Sequence, residues 1–246
     1  MDAVTPSPQA TDPALSRLYD PLLVPSCAAD GCFVLARIAQ SLDGRIATNA
    51  GESCWISGRE DIRHTHRLRA WADAVIVGAG TVAADDPQLT TREVAGTSPV
   101  RIVLDPTLRL SPDHRVFHGG PPTLVIAQLS APDKRLGQAE ILRVPAHATG
   151  IDLSALLPLL AVRGLRRLFV EGGGMTISKF LEAGAVDRLH VTIAPLLLGG
   201  GIPAFTFPGA ALLSDGIRFS WELHRLGPDI LVDIALNRRP PGIQLP

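Results

Sequence analysis

Leu168-Phe169-Val170-Glu171-Gly172-Gly173-Gly174-Met175-Thr176-Ile177-Ser178-Lys179-Phe180-Leu181 is the stretch on which the fold turns. An unbroken apolar run, Leu168–Val170, ends in a carboxylate and three glycines. Such a run suits a strand covered on both faces. A helical pattern at Thr176–Leu181 follows, with Ile177, Phe180 and Leu181 on its inner side. Strand, glycine turn and helix form the repeating unit of an α/β sheet. Open sheets of this kind bind ligands outside the carboxyl ends of their strands, where Glu171 would lie. Three glycines let a ligand approach the backbone, and the helix start offers unpaired N–H groups to a phosphate. The Gly-x-x-x-x-Gly-Lys-Ser/Thr spacing of a Walker A loop is absent. A tight turn that merely needs positive φ is the other reading of the same glycines.

Outward from this unit, Phe33–Ala39, Ala74–Val77, Val100–Leu104 and Thr123–Ala127 also read as buried strands. Two later segments alternate. Leu189, Val191 and Ile193 oppose Arg188, His190 and Thr192, and Ile230, Val232, Ile234 and Leu236 repeat the pattern. Unequal faces suit antiparallel pairing late in the chain. Ser57 with Glu60 predicts a capping box, and Ile62, Thr65, Leu68, Trp71 and Ala72 a helical stripe behind it. A further helix is expected over Leu153–Val162, with Pro158 as a kink or early stop. The expectation is an α/β domain with a mixed sheet over residues 32–237. It lies between a tail at 1–31, with one helical turn near Leu15–Leu18, and a tail at 238–246.

Three more loops carry candidate chemistry. Gly78-Ala79-Gly80-Thr81-Val82-Ala83 fits the dinucleotide fingerprint G-x-G-x-x-G/A. Pro87 follows behind Asp85 and Asp86, so a helix begun here is broken within about two turns. The expected outcome is a strand, a short turn of helix and a functional loop, Thr81–Arg92. Its paired carboxylates either end the helix or hold a hydroxyl or amine. Ser41-Leu42-Asp43-Gly44-Arg45 is a turn signal. It runs on to Gly51-Glu52-Ser53-Cys54-Trp55-Ile56, where Trp55 joins no apolar stripe and is a candidate for stacking or for a site wall.

Composition excludes several classes. Lysine plus arginine number 23 and aspartate plus glutamate 24, so the basic excess of a nucleic-acid binder is missing. The three cysteines form no Cys-x-x-Cys pair, which argues against a disulfide framework and a structural zinc, and no metal is expected. His64 and His66 stand two apart on a helix and face different ways. The zinc-deaminase and Gly-x-Ser-x-Gly signatures are absent. No signal peptide or membrane-length apolar run is seen, so a cytoplasmic protein is expected.

Taken in order, the motifs resemble one family. They are Ala39-Gln40-Ser41-Leu42-Asp43-Gly44-Arg45-Ile46-Ala47, Gly51–Ile56, Leu68-Arg69-Ala70, Val77–Val82, Ala84-Asp85-Asp86-Pro87-Gln88-Leu89-Thr90, Glu171-Gly172-Gly173 and Ala194–Gly200. The set is similar to the pyrimidine reductase domain of riboflavin biosynthesis, and the likeness covers about residues 33–236. The resemblance implies a dihydrofolate reductase-like, three-layer αβα fold, with a mixed, mostly parallel sheet and antiparallel C-terminal strands. It implies a homodimer that reduces a ribosylamino-pyrimidine 5′-phosphate with NADPH, hydride being added at the sugar C1′. Position by position it implies substrate contacts at Arg37, Ser53, Arg69, Leu89, Arg92 and Glu171. The implied cofactor contacts are Ala39, Trp55, Thr81, Asp85 and the run Gly173, Gly174, Met175, Thr176, Ile177, Ser178 and Lys179. Asp85 and Glu171 are the polar groups expected nearest the reacting centre. Three departures stand out: the deaminase half of the bifunctional bacterial proteins is absent, Arg37 replaces their common lysine, and Pro106 stands where some relatives carry serine. Arginine keeps the charge but is a poor proton donor. Two other readings stay open. One is a reductase of the same fold acting on a pterin, a dihydrofolate or a specialised pyrimidine. The other is a nucleotide-binding protein without catalysis.

Overall fold

Val75-Ile76-Val77 and Leu168-Phe169-Val170 are buried on both sides of their strands, as unbroken apolar runs require. The computed structural model describes residues 18–26, 28–147, 150–236 and 238. In chain order it runs β1 (Phe33–Ser41), β2 (Arg45–Ala47), α1 (Arg59–Trp71), β3 (Ala74–Gly78), α2 (Ala79–Asp85), β4 (Val100–Leu104), β5 (Thr123–Gln128) and β6 (Glu140–Val144). There follow β7 (Ala146–His147), β8 (Gly150–Ile151), α3 (Leu153–Val162), β9 (Arg167–Glu171), α4 (Gly174–Glu182) and β10 (Arg188–Ala194). The last elements are β11 (Ile202–Pro203), β12 (Trp221–Leu226) and β13 (Asp229–Ala235).

Nine strands form one sheet in the order β12-β13-β10-β1-β9-β3-β4-β5-β6. β13 runs antiparallel to both of its neighbours, and every other adjacent pair is parallel. The expected mixed, mostly parallel sheet with antiparallel late strands is therefore present. Alternate side chains divide the core into two layers. Val34, Ala36, Ile38, Ile76 and Val170 meet α3 and α4 on one side. Leu35, Val75, Val77 and Phe169 meet Leu68 of α1 and Val82 of α2 on the other.

Several local expectations hold. α3 spans Leu153–Val162 as expected, but Pro158 does not stop it early; it is capped by Asp152, whose carboxylate accepts from the N–H groups of Ser154 and Ala155 at 2.9 and 3.3 Å. α2 ends where Asp86 takes a left-handed backbone at φ 39°, one residue before Pro87. No described helix is long and apolar enough to cross a membrane.

Three readings need correction. The capping box does not form: Gly58, not Ser57, caps α1, and its N–H donates to Asp229 Oδ2 at 2.7 Å. A distant acceptor has displaced the local one. The N-terminal stretch is no tail from residue 18 onward. Leu18, Tyr19 and Leu22 are buried in the α1-side core, with a 3-10 turn at Asp20–Leu22; the turn expected near Leu15–Leu18 lies almost wholly outside the described residues. At the other end Arg238 is tied to Asp187 and Asp30, while 239–246 lie outside the described residues. The polar side of β10 is covered, with His190 and Thr192 fully buried beneath α1.

Candidate active site

The carboxyl ends of β1, β9 and β3 open into a cavity of about 310 Å³. Parallel pairing sets Arg37 directly opposite Glu171 in neighbouring strands, and both line it. Ser53, Trp55 and Leu89 add to the wall, as do Thr81, Asp85 and Ala39. The sequence-derived set is thus largely brought together from elements spread over more than half the chain.

Glu171 is held by α1. Arg69 Nε donates to Oε2 at 2.7 Å, its Nη2 donates to Oε1, and its Nη1 reaches the Thr90 carbonyl at 2.9 Å. Burial works to raise the Glu171 carboxyl, but Arg69, and behind it Arg37 and His66, outweigh that and hold it below its ordinary value. It is an ionised acceptor at neutral pH, not a proton donor. Arg37 forms an ion pair with Asp61, which is fully buried. Burial lowers the Arg37 guanidinium to about 10, so it remains a cation at neutral pH.

Two wall residues carry unusual backbone. Trp55 sits at φ 64° with 83 % of its surface exposed, and Leu89 at φ 56° is buried. Non-glycine residues in this region are uncommon and are held there by their surroundings. Ser53 Oγ donates to Asp85 Oδ1 at 3.3 Å, joining two loops across the rim. Asp86 turns away and accepts the Arg115 N–H at 2.8 Å, so of the paired carboxylates one serves the cavity and one the turn.

The glycine turn behaves as a close-approach device. Gly172 and Gly173 line the cavity without a side chain, and the Gly173 N–H donates to Thr81 Oγ1 at 3.1 Å. A Cβ on Gly174 would overlap the Ala204 carbonyl, and one on Gly78 would overlap Thr176 Oγ1. The fingerprint-like Gly78 therefore serves packing of α4 against β3. The α4 N-terminus, at Gly173, has no side-chain cap. This fits an anionic cofactor: a smooth backbone wall, a helix start without a side-chain cap and an exposed indole on the same cavity. Gly173, Thr81, Trp55, Ala39 and Asp85 are the residues placed to hold one.

Some expected contacts fall elsewhere. Ile177 is fully buried in the core, and Ser178 Oγ is buried where it accepts from the Thr206 N–H at 2.8 Å. Their helix turns these side chains inward. Met175 and Lys179 point outward, and Lys179 lies beside Gly150. Arg69 is not on the cavity wall but behind Glu171, and Arg92 is exposed outside it, bonding Thr90 Oγ1 at 2.7 Å. Asp61, Ile38, Ile46 and Ile62 were not anticipated at the site. Asp61 reads locally as an ordinary acidic residue in a first helical turn. No group of three or more potential metal ligands occurs among the described residues.

A mostly parallel α/β sheet with a charged cavity at its topological centre, walled by a glycine turn, defines a ligand-binding catalytic fold. The chain belongs to the family described as the RibD C-terminal domain, which matches residues 32–227. It is 39% identical over 217 residues to the 2,5-diamino-6-ribosylamino-4(3H)-pyrimidinone 5′-phosphate reductase of Methanothermobacter thermautotrophicus, covering 83% of this chain and 98% of that protein. A protein of the same name from Archaeoglobus fulgidus is 33% identical over 220 residues, covering 84% and 99%. Among solved structures, Acinetobacter baumannii RibD superposes with a TM-score of 0.73 at 28% identity; 84% of this chain matches 58% of that longer one.

Proposed function

We propose that this chain reduces a ribosylamino-pyrimidine 5′-phosphate to its ribitylamino form, with NADPH as reductant, as a step of riboflavin biosynthesis. The observation that carries the reading is Glu171, held ionised by Arg69 on the wall of a cavity completed by a glycine turn. A carboxylate of this kind accepts ring N–H groups of a pyrimidine through charge-assisted hydrogen bonds. The archaeal relatives, matched over nearly their whole length, favour the diamino-pyrimidinone form of the substrate over the deaminated one.

When bound, the nicotinamide cofactor supplies the hydride. The chain binds and orients the two reactants. Glu171 and Arg37 stand where the pyrimidine and sugar would be fixed. Ser53 and Asp85 are joined across the rim, and Asp85 is one of the lining residues placed to hold the cofactor. Trp55 and the Gly172–Gly173 backbone form that wall, with the uncapped α4 N-terminus beside it for a phosphate. Arg92, outside the cavity as described, is a cation within the same loop for the sugar phosphate.

We also infer a cytoplasmic homodimer. Leu213, Phe219, Trp221, Leu223 and Ile230 are exposed on and beside edge strand β12, an apolar area of the kind that marks a subunit contact. Cys32 and Cys54 are free thiols, which suits a reducing compartment.

The test follows NADPH absorbance with the diamino-pyrimidinone phosphate, its deaminated uracil counterpart and a dihydropterin. Wild-type oxidation with a pyrimidine phosphate is expected. Glu171→Ala and Arg69→Ala should each lower kcat/KM by roughly 100-fold, the scale of losing a charge-assisted contact. Turnover of the pterin alone would replace this reading with another reductase of the same fold. NADPH binding with no turnover of any candidate would leave a binding protein.

A further inference from the structure

α1 inverts the usual pattern for a helix packed on a sheet. Its inward positions include Asp61, His64, Thr65, His66 and Arg69, all buried. Asp61 and Arg69 lie about 12 Å apart along the helix at a rise of 1.5 Å per residue. Each meets an opposite charge at the end of a different strand: Asp61 meets Arg37 of β1, and Arg69 meets Glu171 of β9. Those two strand residues are themselves register partners. Of these four charges of alternating sign, Arg37 and Glu171 line the cavity and Asp61 and Arg69 stand behind them; Arg37 pairs with Asp61, with Glu171 the next carboxylate and Asp229 a weaker third.

The geometry assigns Arg37 to Asp61 firmly. Asp61 Oδ2 takes the Arg37 Nη2, and its Oδ1 accepts from Thr192 Oγ1 at 2.7 Å, so both carboxylate oxygens are anchored. The Arg37 Nε is buried without a hydrogen-bond partner among the described residues. We propose that Asp61 is a positioning residue for substrate recognition. It holds the Arg37 guanidinium off Glu171, so that Glu171 keeps acceptor sites for the ring N–H groups of a pyrimidine. Glu171 already receives two N–H groups from Arg69, and a carboxylate has only about four acceptor positions. A third and fourth donor from Arg37 would exhaust them. Without Asp61, Arg37 is a buried cation acted on most strongly by Glu171, its register partner, and more weakly by Asp229, and an uncompensated buried charge is costly enough to drive the exchange toward Glu171.

The inference rests on the pyrimidine reading above. Its test is a double-mutant cycle with Asp61→Asn, Arg37→Gln and the pair, reading KM for the pyrimidine phosphate, KM for NADPH, kcat and Tm. Asp61→Asn is expected to raise the pyrimidine KM about tenfold while the NADPH KM changes by less than about twofold. In the Arg37→Gln background the same substitution should raise the pyrimidine KM by less than about twofold, because no cation is left to be captured. An equal rise in both backgrounds overturns the proposal and makes Asp61 a determinant of helix placement only. An unchanged KM in Asp61→Asn also overturns it. Should Asp61→Asn fail to fold, Thr192→Val loosens the same carboxylate and carries the cycle with Arg37→Gln; an expected rise of about threefold in KM should again vanish in the pair. Absence of wild-type turnover with any pyrimidine phosphate would remove the functional reading and this inference together. Wild-type turnover without the non-additivity would remove this inference alone.

Discussion

The two faces of the sheet are buried by opposite chemistries. Against α3 and α4 the interior is hydrocarbon: Val34, Ala36 and Ile38 pack on Leu156, Leu160, Ile177 and Phe180. Against α1 part of the interior is polar and linked to long-range partners, though Arg37 Nε and His190 Nε2 are buried without a hydrogen bond among the described residues. Tyr19 Oη meets His64 Nδ1 at 2.7 Å, His64 Nε2 meets His190 Nδ1 at 3.1 Å, and His190 Nε2 lies 3.3 Å from Asp233. The Arg37–Asp61 and Arg69–Glu171 pairs belong to this second face. The difference shows a division of labour. Hydrocarbon burial is strong but indifferent to orientation, whereas a buried polar layer specifies where each charge points and sits next to the cavity that needs it.

The largest expected effect lies on the dry face. Phe180→Ala should destabilise by about 4 kcal/mol in urea unfolding, with KM values of the remaining folded enzyme unchanged. A KM shift there would break the division. On the polar face the corresponding effect is one of pH. Burial, reinforced by neighbouring cations, pushes His66 down to about 4, and burial holds His64 and His190 below their ordinary value. Their neutral forms are favoured in the fold, while the unfolded chain takes up protons below about pH 6.5. Stability is therefore present above about 6.5 and is lost as pH falls toward the folded-state values. Urea midpoints measured from pH 7.5 to 5 should fall accordingly, and a level profile would mean that these rings are solvated. The smallest effect sharpens the comparison at the dry face's edge: Asp152→Ala should cost about 1 kcal/mol through the lost α3 cap, read as a shift in Tm, with kcat unaltered.

Legibility followed the same division. The strands Phe33–Ala39, Val100–Leu104 and Leu168–Val170 and the helix Leu153–Val162 were readable because hydrocarbon burial leaves a local period in the chain. The stop of α2 before Pro87 was readable because proline acts on its own neighbours. Edge strand β12 was missed, since a strand with most of its side chains exposed leaves little burial pattern. The Ser57 cap was misread because Asp229, 171 residues away, took the role of partner to Gly58. At the site, Glu171 and Trp55 announced themselves by type and place, whereas Ile177 and Ser178 were carried along with a motif whose helix turns them inward.

The sequence by itself determined an α/β sheet, the glycine turn after Glu171 and the family to which the ordered motifs belong. These rest on short-range properties: periodicity, backbone freedom at glycine and the stop imposed by proline. Only the tertiary structure decided which charges pair. Asp61 finds Arg37 across 24 residues and Thr192 across 131, and Arg69 finds Glu171 across 102. An acidic or basic residue on a helix reads alike whether it faces water or a counter-charge, and strand order alone brings that counter-charge within reach.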